Sequence, residues 1–319
     1  MHAAPERLTW RSFLFDGGFA SLADVCVVIV SFNAADELEA CLRSIAALPE
    51  LTAREIAAQV IVSDNGSSDG SIERAVGAFP LVQVIENGAN LGFARACNVA
   101  ARRAEAPLLF FFNPDALAQA GLLKNAVEYF RAHPDVAMVG VKLLESDGRR
   151  ADSCGEIDTW WQAFLRSSGW GELPMFRKQS NGYALRHWDY ASERDVDLVV
   201  GAAMFIRSDV FRRLGGFDER FFLYHEEVDF AHRLRALGQR VVYLPQCVAV
   251  HRGEQGGSKK RWGSAGVLGW RQRSRRLYWI KHHGILWYWS LCAALAGRYV
   301  HYAALLWAAL RLIRRSPKT

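Results

Sequence analysis

The run Leu108-Leu-Phe-Phe-Phe-Asn-Pro-Asp115 constrains the fold more than any other stretch of this 319-residue chain. Its apolar residues are too few for a helix and show no alternation, so they read as a strand buried on both faces. Such a strand belongs in a mostly parallel sheet covered by helices on each side. Pro114 pushes Asn113 into extended backbone and ends the strand there. Asp115 then stands just past the strand's carboxyl end, where open α/β sheets hold their ligands. It is a candidate metal ligand, or a plain turn residue.

The flanking pattern repeats as βαβ units. Strands are predicted over 25–31, 59–63, 81–86 and 136–141, with helices over 35–47, 70–79, 92–104 and 117–132. Asp69 is placed to cap the second helix. Residues 1–24 read as an N-terminal arm. The rhythm breaks over 145–195, a polar stretch holding Trp160, Trp161, Trp170 and Trp188, which reads as an insertion over the sheet's open edge. It resumes with an apolar run over 196–206. A helix over 209–214 follows, with Ser208 as N-cap and Gly215-Gly216 as its stop. A helix over 227–237 and strands over 241–244 and 248–251 complete the body.

The net charge of +6 conceals an asymmetry: residues 252–319 carry 14 Lys/Arg against one acid, Glu254, while residues 1–251 carry 25 against 32 Asp/Glu. An acidic body thus bears a basic tail. Nucleic acid would attract that charge, but the body shows no nucleic-acid module, so no nucleic-acid partner is expected. The six cysteines lack C-x-x-C spacing and read as reduced, buried thiols. The first 24 residues contain Glu6, Asp16 and Asp24 and no apolar core, which does not fit a signal peptide; a cytoplasmic protein is expected.

Four polar clusters fall at predicted strand ends. Ser31-Phe32-Asn33 does not match G-x-G-x-x-G, so the phosphate cradle of a dinucleotide dehydrogenase is absent where it belongs. In Asp64-Asn-Gly-Ser-Ser-Asp-Gly-Ser71, Asp64 can accept from a base N–H or a ribose hydroxyl, or cap a turn. In Asn90-Leu-Gly-Phe-Ala-Arg-Ala-Cys-Asn98, Gly92 permits close backbone approach at a helix N-terminus, which suits a phosphate or its sugar. Arg95 adds a charge there or is simply solvated. Asn113-Pro114-Asp115 is the fourth.

The second half supplies acids and a histidine. Glu227, Phe230, Ala231 and Leu234 share one helical face, which turns Glu227 toward the protein body. An inward, ionisable acid suits a general base, and equally a helix cap. Burial raises such a pKa and a helix N-terminus lowers it. Asp229 has the same two readings with poorer facing. His251 closes the strand Cys247-Val-Ala-Val-His251. It is structural, or with one carboxylate it holds a hard divalent ion completed by diphosphate oxygens.

In order, Ser-Phe-Asn, Asp-Asn-x-Ser-x-Asp-Gly-Ser, Asn-x-Gly-Phe-Ala-x-x-Cys-Asn, Asn-Pro-Asp, Gly-Gly-Phe-Asp-Glu-x-Phe-Phe, Glu-Glu-Val-Asp and a late His resemble the family 2 inverting glycosyltransferases of GT-A fold, closest to their rhamnosyltransferase-like branch. The resemblance covers residues 25–253. It implies an α/β GT-A domain, a Rossmann-like, mostly parallel sheet flanked by helices. Asp115 takes the place of the last acid of the family's metal-binding Asp-x-Asp, with Asn113 replacing the first, and His251 the place of a metal or diphosphate contact. Glu227 stands where the catalytic base is expected. Asp64 lies where the pyrimidine or ribose is read, and the nucleotide-sugar set becomes Ser31, Asn33, Asp64, Asn90, Gly92, Arg95 and Asn113. Mg²⁺ or Mn²⁺ is the implied cofactor.

The implied activity is inverting transfer of a sugar, foremost L-rhamnose from dTDP-rhamnose, to a lipid-linked (polyprenyl) or cell-surface polysaccharide acceptor. Alternatives are another hexose or galactofuranose from a UDP donor, or a non-catalytic membrane-bound nucleotide-sugar-binding protein. A processive synthase is disfavoured because Arg261-Trp262 lacks the Gln such enzymes carry.

Residues 254–319 form a basic, aromatic tail. Arg298 and His301 interrupt its apolar stretch, so neither half reaches the ~20 residues of a spanning helix. Six of the eleven Trp lie beyond residue 252, interleaved with cations. That mixture suits helices lying in a membrane interface, and peripheral attachment to the inner face of the cytoplasmic membrane is expected. A helix pair packed on the catalytic domain and a single tilted span are the alternatives.

Overall fold

A computed structural model of the protein describes residues 23–180, 185, 188–252 and 257–299. Most of the expected N-terminal arm, and His301 with the end of the tail, lie outside the described residues. In chain order the elements are β1 (Val25–Ser31), α1 (Ala35–Ala46), α2 (Pro49–Thr52), β2 (Ala58–Asp64), α3 (Ser71–Ala78), β3 (Gln83–Glu86), α4 (Phe93–Ala101), β4 (Leu108–Phe112), β5 (Ala116–Ala118), α5 (Leu122–Ala132) and β6 (Val136–Leu144). There follow β7 (Cys154–Gly155), α6 (Trp160–Ser168), α7 (Pro174–Ser180), β8 (Arg194–Asp195), β9 (Leu198–Val199), β10 (Ala203–Arg207), α8 (Ser208–Arg213), α9 (Glu226–Ala236), β11 (Arg240–His251) and α10 (Gly257–His283). Residues 285–299 are helical as well.

The main sheet has the order β3-β2-β1-β4-β10-β6-β11-β5. β3, β2, β1 and β4 run parallel, as the βαβ pattern requires. The other half is mixed: β10 runs antiparallel between β4 and β6, and β5 antiparallel along β11. Leu117 and Ala118, expected to open a helix, instead belong with Ala116 to a strand that pairs with Ala249–His251, and α5 starts only after Gly121, whose φ is +81°. The two strands expected over 241–251 are one strand carrying a bulge. Leu244 and Val248 stand opposite consecutive residues of β6, so three residues are looped out between them. Asn125 Nδ2 holds this bulge at Gln246 O (2.9 Å), and Gln119 N holds it at Val248 O (3.2 Å).

All seven residues of β1 are buried, which is why the strand shows no alternation. Val25, Val27 and Ile29 pack with Leu38, Cys41, Leu42 and Ile45 of α1 on one face. On the other face, Phe111, Phe211, Phe217 and Phe230 form a cluster with ring centroids 5.0–5.3 Å apart. Such aromatic pairs contribute about 0.5–1.5 kcal/mol each beyond their buried area. All six cysteines are free thiols, five of them buried.

The chain divides into two compact units. One holds the described residues up to Cys154 and Asp189–Ser274; the other holds those of Gly155–Trp188 and from Arg275 onward. The insertion and the far part of the tail therefore form one body, while the start of the tail belongs to the sheet domain.

Candidate active site

Asp115 and His251 are set side by side by backbone. Ala116 pairs with His251 at the sheet edge, and Arg252 N donates to Asp115 O at 3.0 Å. The Asp115 carboxylate thereby comes 3.2 Å from His251 Nε2. That approach lacks hydrogen-bond geometry, and Nε2 is buried without a hydrogen-bond partner among the described residues. Two adjacent ligand atoms that do not bond to each other could serve one ion together. An oxygen and an imidazole nitrogen suit Mn²⁺ or Mg²⁺, the remaining positions falling to diphosphate oxygens. Among the described residues no cluster of three or more His, Cys, Asp or Glu could hold a metal.

Glu227 is aimed by a strained turn. Tyr224 (φ 68°) and His225 (φ 67°) are consecutive left-handed residues directly before α9, a conformation costing about 1–2 kcal/mol per side-chain-bearing residue. The start of the tail holds it in place. Phe222 stacks on Trp270 at 4.4 Å, Ser274 Oγ donates to Leu223 O at 2.7 Å, and Arg271 sits 4.9 Å over the Tyr224 ring. Glu227 lies beside Gly201, whose missing Cβ would meet its carboxyl carbon at 3.7 Å. Gly201 precedes Ala202, whose carbonyl accepts from Asn113 N at 2.9 Å. One short run of backbone thus links the acid to the Asn113-Pro114-Asp115 turn.

Glu227 Oε2 is buried and has no hydrogen-bond partner among the described residues. Burial pushes its carboxyl up to about 7, against the opposing pull of backbone amides at the helix start and of Arg271. Glu226 is more deeply buried, 4% exposed, and burial followed by the Glu227 charge pushes it well above the usual carboxylate range. Burial thus favours the neutral form of both neighbouring acids, and more strongly at Glu226.

The donor-side residues separate into two groups. Ser31 is wholly buried and its Oγ has no partner among the described residues, while its carbonyl accepts from Asn65 N at 2.8 Å. Asn33 (φ 48°) accepts from Ser68 N at 2.7 Å and donates its own N–H to Ser67 Oγ at 2.8 Å. Asp64 accepts from Gly66 N (3.0 Å), Ser67 N (2.8 Å) and Ser67 Oγ, so it caps its turn and keeps acceptor capacity only on Oδ1. These three are gathered at the carboxyl ends of β1 and β2.

Gly92, Asn90 and Arg95 are engaged elsewhere. A Cβ on Gly92 (φ +82°) would fall 2.5 Å from Phe222 O, and Phe93 N donates to that oxygen at 2.8 Å. The close approach that Gly92 permits is therefore made by Phe222. Asn90 Oδ1 accepts from Gly92 N at 3.0 Å, and Arg95 lies 3.5 Å from Glu219. Asp229, the other acid considered, is fully buried and accepts from Arg233 Nε at 2.9 Å; the guanidinium also donates to Leu214 O and Gly216 O. That pairing makes it a clamp for the loop before α9.

Sequence reasoning passed over Glu226, Gly201 and Arg271. Glu226 was legible as the first of two adjacent acids; Gly201 and Arg271 reach Glu227 only through long-range packing.

A mixed, helix-covered sheet with polar groups at its strand ends defines a GT-A-like α/β class of protein. Residues 26–215 match the profile described as glycosyl transferase family 2, and the chain belongs to that family and is a glycosyltransferase. It is 28% identical over 239 residues, 70% of this chain and 75% of the relative, to an N-acetylglucosaminyl-diphospho-decaprenol L-rhamnosyltransferase of Mycobacterium tuberculosis. It is 38% identical over 60 residues, 19% of this chain and 23% of the relative, to the rhamnosyltransferase WbbL of Escherichia coli K12. A mannosyltransferase from Pyrobaculum calidifontis, solved with GDP-Man and Mn²⁺, is similar in fold at a TM-score of 0.52 and 20% identity over 92% of this chain and 81% of that one. The profile match ends before Glu227 and His251, so their roles rest on geometry.

Proposed function

We propose that the chain transfers L-rhamnose from dTDP-rhamnose, with inversion, to a lipid-linked acceptor. The observation that carries this reading is the Glu227 carboxyl: its buried Oε2 has no hydrogen-bond partner among the described residues, it is poised near neutrality, and one backbone run links it to the Asp115–His251 pair. Glu227 takes the proton from an acceptor hydroxyl, whose oxygen attacks the anomeric carbon while the bond to the diphosphate oxygen breaks on the opposite face. Asp115 and His251 would hold Mg²⁺ or Mn²⁺, which when bound supplies positive charge for the leaving diphosphate. Ser31, Asn33 and Asp64 bind the nucleoside. The acceptor named for the mycobacterial relative supports a lipid-linked one here, and the basic aromatic tail supports attachment to the inner face of the cytoplasmic membrane. Among the described residues no helix is long and apolar enough to cross a membrane.

Two measurements test the reading. In a thermal-shift panel with Mn²⁺, dTDP-rhamnose should stabilise the protein more than UDP-hexoses or UDP-galactofuranose, since binding favours the folded state; the reverse order would reassign the donor. Glu227→Gln should keep nucleotide binding and lose about 10²-fold or more in turnover. Near-normal turnover would reject Glu227 as the base.

A further inference from the structure

We propose that the insertion and the far part of the tail jointly present one aromatic, cationic surface that seats on an anionic lipid bilayer. This deepens the membrane attachment proposed above by assigning half of the contact to the insertion, far from the tail in sequence. The two segments are joined within their unit. Trp160 Nε1 donates to Ser290 Oγ at 3.0 Å, its ring meets Trp287 at 5.1 Å, and Arg298 donates to Arg166 O at 3.0 Å.

Around that seam the unit turns apolar side chains outward. Ten of the thirteen exposed large hydrophobic residues described belong to it, so the exposure is concentrated and not scattered. From the insertion come Trp161, Trp170, Leu173 and Met175, the last 74% exposed; from the tail come Leu286, 80% exposed, and Trp289. The insertion's aromatics are contiguous: Trp161 to Phe164 at 5.6 Å, Phe164 to Trp170 at 5.8 Å, and Trp161 to Phe176 at 6.1 Å.

Charge selects the occupant. Among the described side chains, this unit carries six Lys/Arg (Arg166, Arg177, Arg275, Arg276, Lys281 and Arg298) against three acids. A second copy would bring like charge to the same face, whereas anionic headgroups complement it and Trp rings favour the headgroup level. A bilayer accounts for both the apolar and the cationic parts of this surface.

The full-length protein is floated with phosphatidylcholine vesicles and with vesicles containing about one-third phosphatidylglycerol. Wild type should partition to the anionic vesicles. The triple variant Trp161→Ser, Trp170→Ser, Met175→Ser, with the tail sequence intact, should bind them at least ~10-fold more weakly, given the apolar area withdrawn. Wild-type-like binding by the triple variant overturns the proposal, as does failure of wild type to bind. Self-association that the triple variant abolishes, without vesicle binding, assigns the surface to a second copy and overturns it too.

Nucleotide-dependent thermal stabilisation of the triple variant checks that the donor site still folds. Should that variant not fold, Met175→Cys in a Cys292→Ser background, carrying an environment-sensitive dye, gives an independent reading. A blue shift on adding anionic vesicles is expected, and no shift overturns the proposal. Vesicle binding in a protein that no nucleotide sugar stabilises would sink the functional reading and leave this surface standing.

Discussion

At the scale of single residues, the chemistry turns on how Glu227 is held. A base works deprotonated, so kcat/KM should rise with pH through about 7. Arg271, stacked on Tyr224, favours the charged carboxylate, and Arg271→Gln should move that limb to higher pH. An unchanged pH–rate profile would dismiss Arg271 from this role. The same raised pKa affects folding. Between pH 4.5 and about 7 the folded chain keeps a proton that the unfolded chain has released, so stability falls as pH rises across that window. Glu227→Gln should therefore raise Tm relative to wild type at pH 8 and give no gain at pH 4, by calorimetry. Asp115→Ala should abolish the metal dependence of nucleotide binding; an unaltered titration with and without Mn²⁺ would count against the metal role. The inward facing of Glu227 was legible because helical spacing places it with Phe230 and Leu234. Arg271 was not, since the chain separates it from Glu227 by a strand and a bulge.

At the scale of elements, buried amides bind the loops to the strand ends. Asn98 in α4 donates Nδ2 to Phe217 O at 2.8 Å and accepts Phe217 N at 2.9 Å. Asn98→Ala leaves both backbone groups without partners and should cost about 2–4 kcal/mol, read as a lower urea midpoint. Gly92→Ala combines a left-handed φ with a 2.5 Å clash against Phe222 O. It should destabilise by several kcal/mol or displace the loop that leads into α9, seen as lost turnover in folded protein. The strand Leu108–Phe112 was readable to the residue because its burial on both faces leaves a continuous apolar run. β5 was not readable: three residues carry too little pattern, and their strand character comes from a partner more than 130 residues away. Gly92 was read as a phosphate contact for the same reason, since Phe222, which fills that space, lies far along the chain.

At the scale of the molecule, composition announced a basic tail but not how it is divided. Its first part, through Ser274, belongs with the sheet domain and props the turn before α9, whereas the rest joins the insertion. No local pattern links Trp160 to Ser290, so the shared body could not be read from either segment alone. Vesicle binding should weaken as salt rises from 0.1 to 1 M, because the screening length falls from about 10 Å to about 3 Å. A residual, salt-insensitive fraction would measure the aromatic contribution.

Three looped-out residues in β11 stand against a single step of β6, and the regular pairing that resumes beyond them fixes the side on which His251 stands next to β5. A homologue one residue longer or shorter between Leu244 and Val248 should take up the change within that detour, because the pairing beyond it sets the facing of its histidine. Length differences among relatives should therefore collect in this short stretch, which can absorb them without disturbing the strand on either side.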